Sequence, residues 1–168
     1  MPGKLREYEN LLTDNKIFRK RTTGVGVLTG PQAVSLGLVG PMARGSGVAY
    51  DVRRAFPYLK YPELDYEVIT RKDGDVFARY QVRVAEMHES VTIARQCLEK
   101  ITPTGPYAID DPKITPPPKD KVYTEMEALI QHFLLYSQGF TVPAGIASVP
   151  IEGPRGEQSF TVVSDGTN

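Results

Sequence analysis

The sequence predicts a mainly α-helical protein, of the α+β type, that carries one small β-hairpin. A long apolar seam with helical spacing occupies the middle of the chain, and a second amphipathic segment follows a proline-rich stretch. Near the end, two strand-like segments flank a turn that is rich in glycine. A period near 3.5 residues is typical of helices, and strand pairs around a tight turn are typical of hairpins. We therefore expect long antiparallel helices and a two-stranded sheet.

Several short helices are predicted before the seam. Residues 4–21 contain two helical segments with a polar break between them. Thr29 is placed to cap a helix that opens with the proline at position 31. Asp51 is placed to cap another, and Pro57 cannot continue it. Residues 57–74 show no regular pattern and predict an irregular excursion.

The strongest local signal lies in residues 75–101. Asp75 is placed to cap the first turn, Lys100 suits the negative end of the helix dipole, and Pro103 cannot continue a helix. At roughly 1.5 Å per residue, such a helix is about 40 Å long and should pack against a partner helix. Apolar residues recur at alternating intervals of three and four, at Phe77, Tyr80, Val84, Met87, Val91, Ala94, Leu98 and Ile101.

A second helix follows a stretch that predicts an extended crossover, because residues 103–118 hold six prolines. Thr124 and Glu127 have the spacing of a capping box, which predicts a helix over residues 124–138. Its apolar face comprises Met126, Leu129, Ile130, Phe133 and Leu134.

The end of the chain predicts the hairpin, with strand-like segments on both sides of a turn at residues 153–156. We treat residues 1–168 as one partial domain. It is expected to be helical over residues 1–138 and to form the hairpin over residues 144–168.

Composition excludes several classes of function. The 168 residues carry 20 basic and 20 acidic side chains, whereas a general nucleic-acid binder shows a basic excess. The single cysteine, Cys97, excludes an internal disulfide and any multi-cysteine metal site built by this chain alone. We expect Cys97 to be a half-buried apolar residue beside the seam. No apolar run is long enough to cross a bilayer, and no secretory signal is visible.

Two motifs that suggest a ligand are weak. The glycines at positions 24 and 26 lack the third glycine that a dinucleotide fingerprint requires, so they predict a simple turn. His88 and His132 lie on different predicted helices and are interpreted as surface residues. We therefore assign no catalytic residue and no metal ligand.

The most informative local feature is the Arg-Gly-Ser-Gly segment that begins at Arg44. Its two glycines would let backbone amides form an anion-binding nest around Ser46, and Arg44 offers a planar fork of donors. Asp51 and Arg53 follow closely. Two interpretations stay open: an internal salt-bridge network that orders a loop, or a direct contact with a cofactor or another subunit.

These residues also form part of a resemblance. The run that begins at Gly40, Gly-Pro-Met-Ala-Arg-Gly-Ser-Gly, is similar to a signature of the 49-kDa (D) subunit family of respiratory complex I, which has a hydrogenase-like large-subunit fold. Further collinear matches lie over nearly the whole chain, at residues 9–22, 40–53, 74–75, 79–80, 83–84, 86–87, 127–133, 139–140, 142–143 and 163–166.

The resemblance implies part of a proton-pumping NADH:quinone oxidoreductase, in which electrons pass from NADH through FMN and iron–sulfur clusters to quinone. NADH, FMN, the clusters and quinone would then belong to the full complex, and we expect no cofactor to be bound by this chain itself. The isolated chain is predicted to be inactive. Its partners would be other complex I subunits. The resemblance also implies a peripheral, non-spanning position on the cytoplasmic side of the bacterial inner membrane, or the matrix side in mitochondria.

The resemblance covers a middle-to-late portion of a longer subunit, and the parts of the family that line the quinone head-group site lie upstream of it. No catalytic residue is carried over. Arg44, Ser46, Asp51 and Arg53 are carried over only as a signature with a structural or interface role.

Three residues near the end depart from the family pattern and bear on the packing of the hairpin. Ile146 stands where many bacterial members have glutamate, Ser159 where glycine is usual, and Thr161 where tyrosine is usual. Two alternatives to the complex I interpretation stay open. One is the large subunit of a membrane-bound nickel–iron hydrogenase, whose nickel-binding cysteine pairs lie outside the portion covered here. The other is a non-catalytic scaffold fragment.

Overall fold

The computed structural model describes residues 2–101 and 105–167. The chain divides into two compact units. The first runs to Ile101 and includes Pro150–Ser159, which is the tip of a hairpin. The second unit comprises the chain after Ile101 up to Val149 and the chain from Phe160 onward.

The first unit opens with two short helices, as predicted: α1 (Pro2–Tyr8) and α2 (Lys16–Thr22). Asn15 caps α2, because its Oδ1 accepts hydrogen bonds from the backbone N–H groups of Ile17 (2.9 Å) and Phe18 (3.1 Å). Between the helices, Glu9–Thr13 form a π-helical turn that the sequence pattern did not predict.

Three short helices follow, α3 (Gly30–Ser35), α4 (Pro41–Arg44) and α5 (Val52–Ala55), and side chains cap the first and the third. Thr29 and Gln32 form a reciprocal capping box at the start of α3, and Asp51 caps α5 by accepting from the N–H of Arg53 at 2.9 Å. The two caps predicted at Thr29 and Asp51 are therefore confirmed. Residues 57–74 are irregular apart from a 3₁₀ turn at Tyr61–Glu63.

The long helix α6 spans Val76–Lys100, and Asp75 caps it through a 2.7 Å bond from the N–H of Ala78. The predicted length and start are confirmed; Pro103, proposed as its stop, lies outside the described residues. Helices α1, α2 and α4 pack against α6. These short helices supply the packing partners expected for the seam.

Only the first half of the seam is buried. The core of the first unit consists of Leu5, Ala33, Ala43, Val52, Leu64, Tyr66, Phe77, Ala78, Val82 and Val84. Leu98, by contrast, is 72% exposed. The second half of α6 instead contacts residues 63–65 through polar groups, because Gln96 bonds the backbone of Asp65 and Lys100 donates to the carbonyl of Glu63.

Cys97 is exposed, so its prediction as a half-buried apolar residue was wrong. The reason is that the buried apolar residues of α6 end at Val84, whereas the seam continues in sequence to the last turn of the helix. Periodicity records which residues share a face, and it does not record where the packing partner ends.

The second unit contains two helices where the sequence predicted one. Helix α7 spans Lys119–Thr124 and α8 spans Met126–Ser137, and Glu125 between them has extended backbone angles (φ −121°, ψ 128°). The predicted capping box at Thr124 was wrong. The Thr124 hydroxyl donates to the carbonyl of Asp120 at 3.0 Å, inside the last turn of α7, and α8 begins without a side-chain cap.

The hairpin is confirmed and consists of β1 (Gly145–Gly153) and β2 (Gly156–Ser164). At its base, the hydroxyls of Ser148 and Thr161 lie 2.9 Å apart across the strands, so the divergent threonine makes a cross-strand pair. Ser159 donates to the Glu157 carboxylate at 3.2 Å, and Ile146 is exposed. In the part of the chain that the structure describes, no helix is both long and apolar enough to span a membrane.

Candidate functional site

Arg44 is the centre of a buried ion cluster in the first unit. It is the last residue of α4, a helix that begins at Pro41 and is preceded by Gly40, whose φ of 63° favours glycine. This short helix directs the side chain inward, where only 2% of it is exposed. An arginine can be buried at this depth only when its donors are satisfied.

Each end of the guanidinium group has a partner. Arg44 Nε donates to Glu86 Oε1 at 2.6 Å, and Nη2 donates to Glu152 Oε1 at 2.8 Å. Nη1 donates to the carbonyl of Tyr50 at 2.8 Å and lies 3.9 Å from Asp51 Oδ2. One side chain therefore joins α4 to the long helix α6 and to the tip of the hairpin.

Asp51 and Arg53 form the second pair of the cluster. Arg53 Nε and Nη2 donate to the two oxygens of Asp51 at 2.9 Å and 2.6 Å, which is a bidentate ion pair. The guanidinium of Arg53 also lies 4.8 Å from the ring centroid of Tyr66 and 5.6 Å from that of Tyr61, which are cation–π distances. The guanidinium group of Arg53 is therefore held by the Asp51 carboxylate and by the two tyrosine rings.

Ser46 stands apart from this cluster. Its hydroxyl donates to the carbonyl of Met42 at 3.4 Å, within its own turn. The anion-binding nest predicted for this segment is not available, because the N–H groups of Gly45, Ser46 and Gly47 donate to carbonyls of residues 41–44. The structure thus brings together Arg44, Asp51 and Arg53 and leaves Ser46 as a turn residue.

Gly45 has a packing role instead. A Cβ atom at this position would lie 2.8 Å from Arg79 Cγ on α6, so glycine permits the close approach of α4 to the long helix.

Sequence reasoning missed Glu86 and Glu152 as partners of Arg44. They lie 42 and 108 positions away in the chain. The sequence did contain one signal for Glu86, because the Glu86-Met87 pair is among the collinear matches to the family. That match does not by itself indicate a contact with Arg44. Glu152 is further positioned by the hydroxyl of Tyr58, which accepts from its N–H at 3.2 Å.

Burial and ion pairing set the protonation of the cluster. Burial acts to lower the pKa of Arg44, but the hydrogen bond to Glu152 and the charge of Glu86 outweigh it and raise that pKa. Burial likewise acts to raise the pKa of Asp51, and the hydrogen bond from Arg53 lowers it overall. For Glu86, burial is the largest effect and raises its pKa in spite of Arg44.

A cleft of about 480 Å³ opens beside the cluster, lined by Arg44, Arg53, Arg83, Glu86, Met87 and Glu152 among others. Its buried guanidinium groups are already bound to carboxylates, so they are not free to receive an anionic ligand. The site therefore joins three distant segments of the chain through ion pairs and hydrogen bonds.

The described residues offer no ligand set for an iron–sulfur cluster. An iron–sulfur cluster takes several thiolates, and the chain has one cysteine. No group of three His, Cys, Asp or Glu side chains is placed to hold a metal ion within residues 2–101 and 105–167. His88 is exposed and lies 3.2 Å from Glu9, and His132 packs against Tyr136.

Comparison with known proteins identifies the family of this chain. Residues 1–168 match the family described as respiratory-chain NADH dehydrogenase, 49 Kd subunit. The chain is 50% identical over 167 residues to the D 2 subunit of NADH-quinone oxidoreductase from Rhizobium etli (strain CIAT 652), covering 99% of this chain and 41% of that protein. It is 47% identical over 167 residues to the D subunit of the same enzyme from Rickettsia bellii (strain OSU 85-389), covering 99% and 42% of the two chains.

A third relative, the D 2 subunit from Roseiflexus sp. (strain RS-1), is 47% identical over 169 residues, covering 99% of this chain and 40% of that protein. The chain therefore spans about two fifths of the length of these relatives. The whole-length match favours the complex I family over the nickel–iron hydrogenase alternative. This chain belongs to the family of the 49-kDa (D) subunit of respiratory-chain NADH dehydrogenase.

Proposed function

We propose that this chain works as part of the D subunit of a proton-pumping NADH:quinone oxidoreductase, in which electrons from NADH reach quinone through FMN and iron–sulfur clusters held by other subunits. Relatives that are 47–50% identical are named as the D subunit of NADH-quinone oxidoreductase. In this role the chain supplies structure and docking surface, because its one cysteine cannot hold a cluster. By itself it would reduce no quinone and bind neither NADH nor a metal tightly.

The buried Arg44 cluster is the observation that carries this structural role. It holds the signature segment, residues 40–53, against α6 and the hairpin tip with hydrogen bonds of 2.6 Å to Glu86 and 2.8 Å to Glu152. A pair that is buried and hydrogen-bonded in this way costs about 3–5 kcal/mol to break from one side. The Arg44 cluster thereby fixes the conformation of a surface that other subunits of the complex would contact.

Exposed apolar residues on α8 support a place among other subunits. Phe133 is 66% exposed, and Met126, Ile130 and Tyr136 are exposed as well. Large apolar areas of this kind are typical of surfaces that are covered in an assembly. We place the assembly peripherally on the cytoplasmic face of a bacterial inner membrane, or on the matrix face in mitochondria, with other complex I subunits as partners.

A segment exchange tests the proposal. The matching segment of the Rhizobium etli D 2 subunit is replaced by these 168 residues, and membranes are assayed for assembled complex and for NADH-driven quinone reduction. We expect assembly and activity. The same exchange carrying Arg44→Ala should lose assembly, whereas one carrying Arg95→Ala, at an exposed position of α6, should retain it.

The outcomes separate the competing roles. Assembly without quinone reduction would favour the scaffold alternative. Failure of the unmodified exchange to assemble, with normal chain levels, would contradict membership in the complex.

A further inference from the structure

The Arg44 cluster contains more acidic than basic groups. Arg44 and Arg53 supply two positive charges, and Asp51, Glu86 and Glu152 would supply three negative charges if all were ionised. These five groups are linked by contacts of 2.6–3.9 Å. An unbalanced charge in a buried cluster is costly in free energy. The excess of one carboxylate therefore favours the uptake of one proton by the cluster.

Hydrogen bonding distinguishes the three carboxylates. Both oxygens of Asp51 accept from Arg53. Glu152 also uses both oxygens, because Oε1 accepts from Arg44 and Oε2 accepts from the N–H of Val52 at 3.3 Å. Glu86 accepts from Arg44 through Oε1, and among the described residues no hydrogen bond reaches its Oε2. A proton can be added at Oε2 without displacing a donor.

Solvent access also singles out Glu86. Its side chain is 20% exposed, compared with 5% for Glu152 and 1% for Asp51. It lines the cleft of about 480 Å³ beside the cluster. Through this cleft, Glu86 is open to solvent, from which a proton can reach its carboxylate.

We propose that Glu86 is the proton-binding member of the Arg44 cluster: its Oε2 takes up a proton from water in the cleft, which removes the excess negative charge. The neutral carboxyl keeps accepting from Arg44 through Oε1. Burial, which raises the pKa of Glu86, acts in the same direction. The charged and titratable groups that line the cleft with Glu86 are Arg44 from α4, Arg53 from α5, Glu152 from the hairpin, Tyr61 from the 3₁₀ turn, and Arg83 from α6 itself. Asp51 lies behind Arg44, with its Oδ2 3.9 Å from Arg44 Nη1.

Carboxyl NMR on the full chain tests this proton site. The side-chain carboxyl carbon of Glu86 is assigned through its own backbone resonances, and its chemical shift is followed as a function of pH. Glu99, on an exposed position of the same helix, serves as the internal reference. We expect the midpoint of Glu86 to lie above that of Glu99. A midpoint at or below that of Glu99 would overturn the proposal.

Two variants sharpen the test. Arg83→Gln removes a positive charge that faces the cleft, so the Glu86 midpoint should move further upward; Arg95→Gln, on the exposed side of α6, should leave it unchanged. Equal shifts in both variants would show a general charge effect and overturn the assignment to the cleft. Proton uptake at Glu86 requires no redox partner, so this titration is independent of the proposed oxidoreductase role.

Discussion

The two units of the chain differ in how their helices are stabilised. In the first unit, the first half of α6 buries Phe77, Ala78, Val82 and Val84 and contacts the buried ion cluster of Arg44. In the second unit, Ala128 is the buried apolar residue among those described, and most of the larger apolar side chains of α8 are exposed. An amphipathic sequence alone therefore does not reveal whether a helix has its packing partner within the chain.

The largest expected effect concerns Arg44. Replacing it with alanine leaves Glu86 and Glu152 without their guanidinium partner in a buried site, which should lower the free energy of unfolding of the first unit by about 3–5 kcal/mol. Urea unfolding measures the change. Arg95→Ala, an exposed control on α6, should change stability by less than about 0.5 kcal/mol. Equal effects would show that Arg44 is not a structural centre.

A pair of apolar substitutions tests the comparison directly. Val82 in α6 is fully buried, so Val82→Ala should lower the free energy of unfolding by about 2–3 kcal/mol through lost burial and a cavity. Phe133→Ala in α8 removes more atoms, but Phe133 is mostly exposed, and the expected loss is below about 0.5 kcal/mol. Thermal unfolding of both variants gives the ranking. A larger loss at Phe133 would mean that α8 is covered in solution.

The hairpin tip depends on a close glycine contact. Gly156 has φ 128°, and a Cβ atom there would lie 2.8 Å from Val39 Cγ2 and 3.0 Å from the nitrogen of Gly40. Gly156→Ala should therefore cost about 1–2 kcal/mol. Gly139→Ala is the matched control, because its φ is also positive but the surrounding space is open. Chemical denaturation should show a smaller loss for the control, and the reverse order would contradict a steric role for Gly156.

The smallest expected effect depends on pH and isolates the charge of Asp51. Its pKa is lowered in the folded state, so its stabilisation is fully present above the unfolded value of about 3.9 and is lost as pH falls through the folded pKa. Asp51→Asn keeps a capping side chain but removes the charge. The stability difference from the natural chain should shrink as pH falls through the folded pKa of Asp51. A difference that is constant with pH would contradict the ion pair's contribution.

Local signals predicted the elements that local contacts determine. The caps at Thr29, Asp51 and Asp75 act within three residues, and each forms as expected. The break at Glu125 was missed because Thr124 bonds backward to Asp120 rather than forward. Glu152 was missed for a different reason: its contact with Arg44 spans 108 positions, and no local period encodes a pairing at that separation.

Cys97 gives the chain a practical property. It is the one thiol among 168 residues, and it lies exposed on the second half of α6. Because thiols react selectively with maleimides and alkylating reagents, a fluorophore or spin label can be attached at one known position of the natural sequence. The exposed end of the long helix thereby carries its own reporter, and a neighbour that covers this end would slow the labelling.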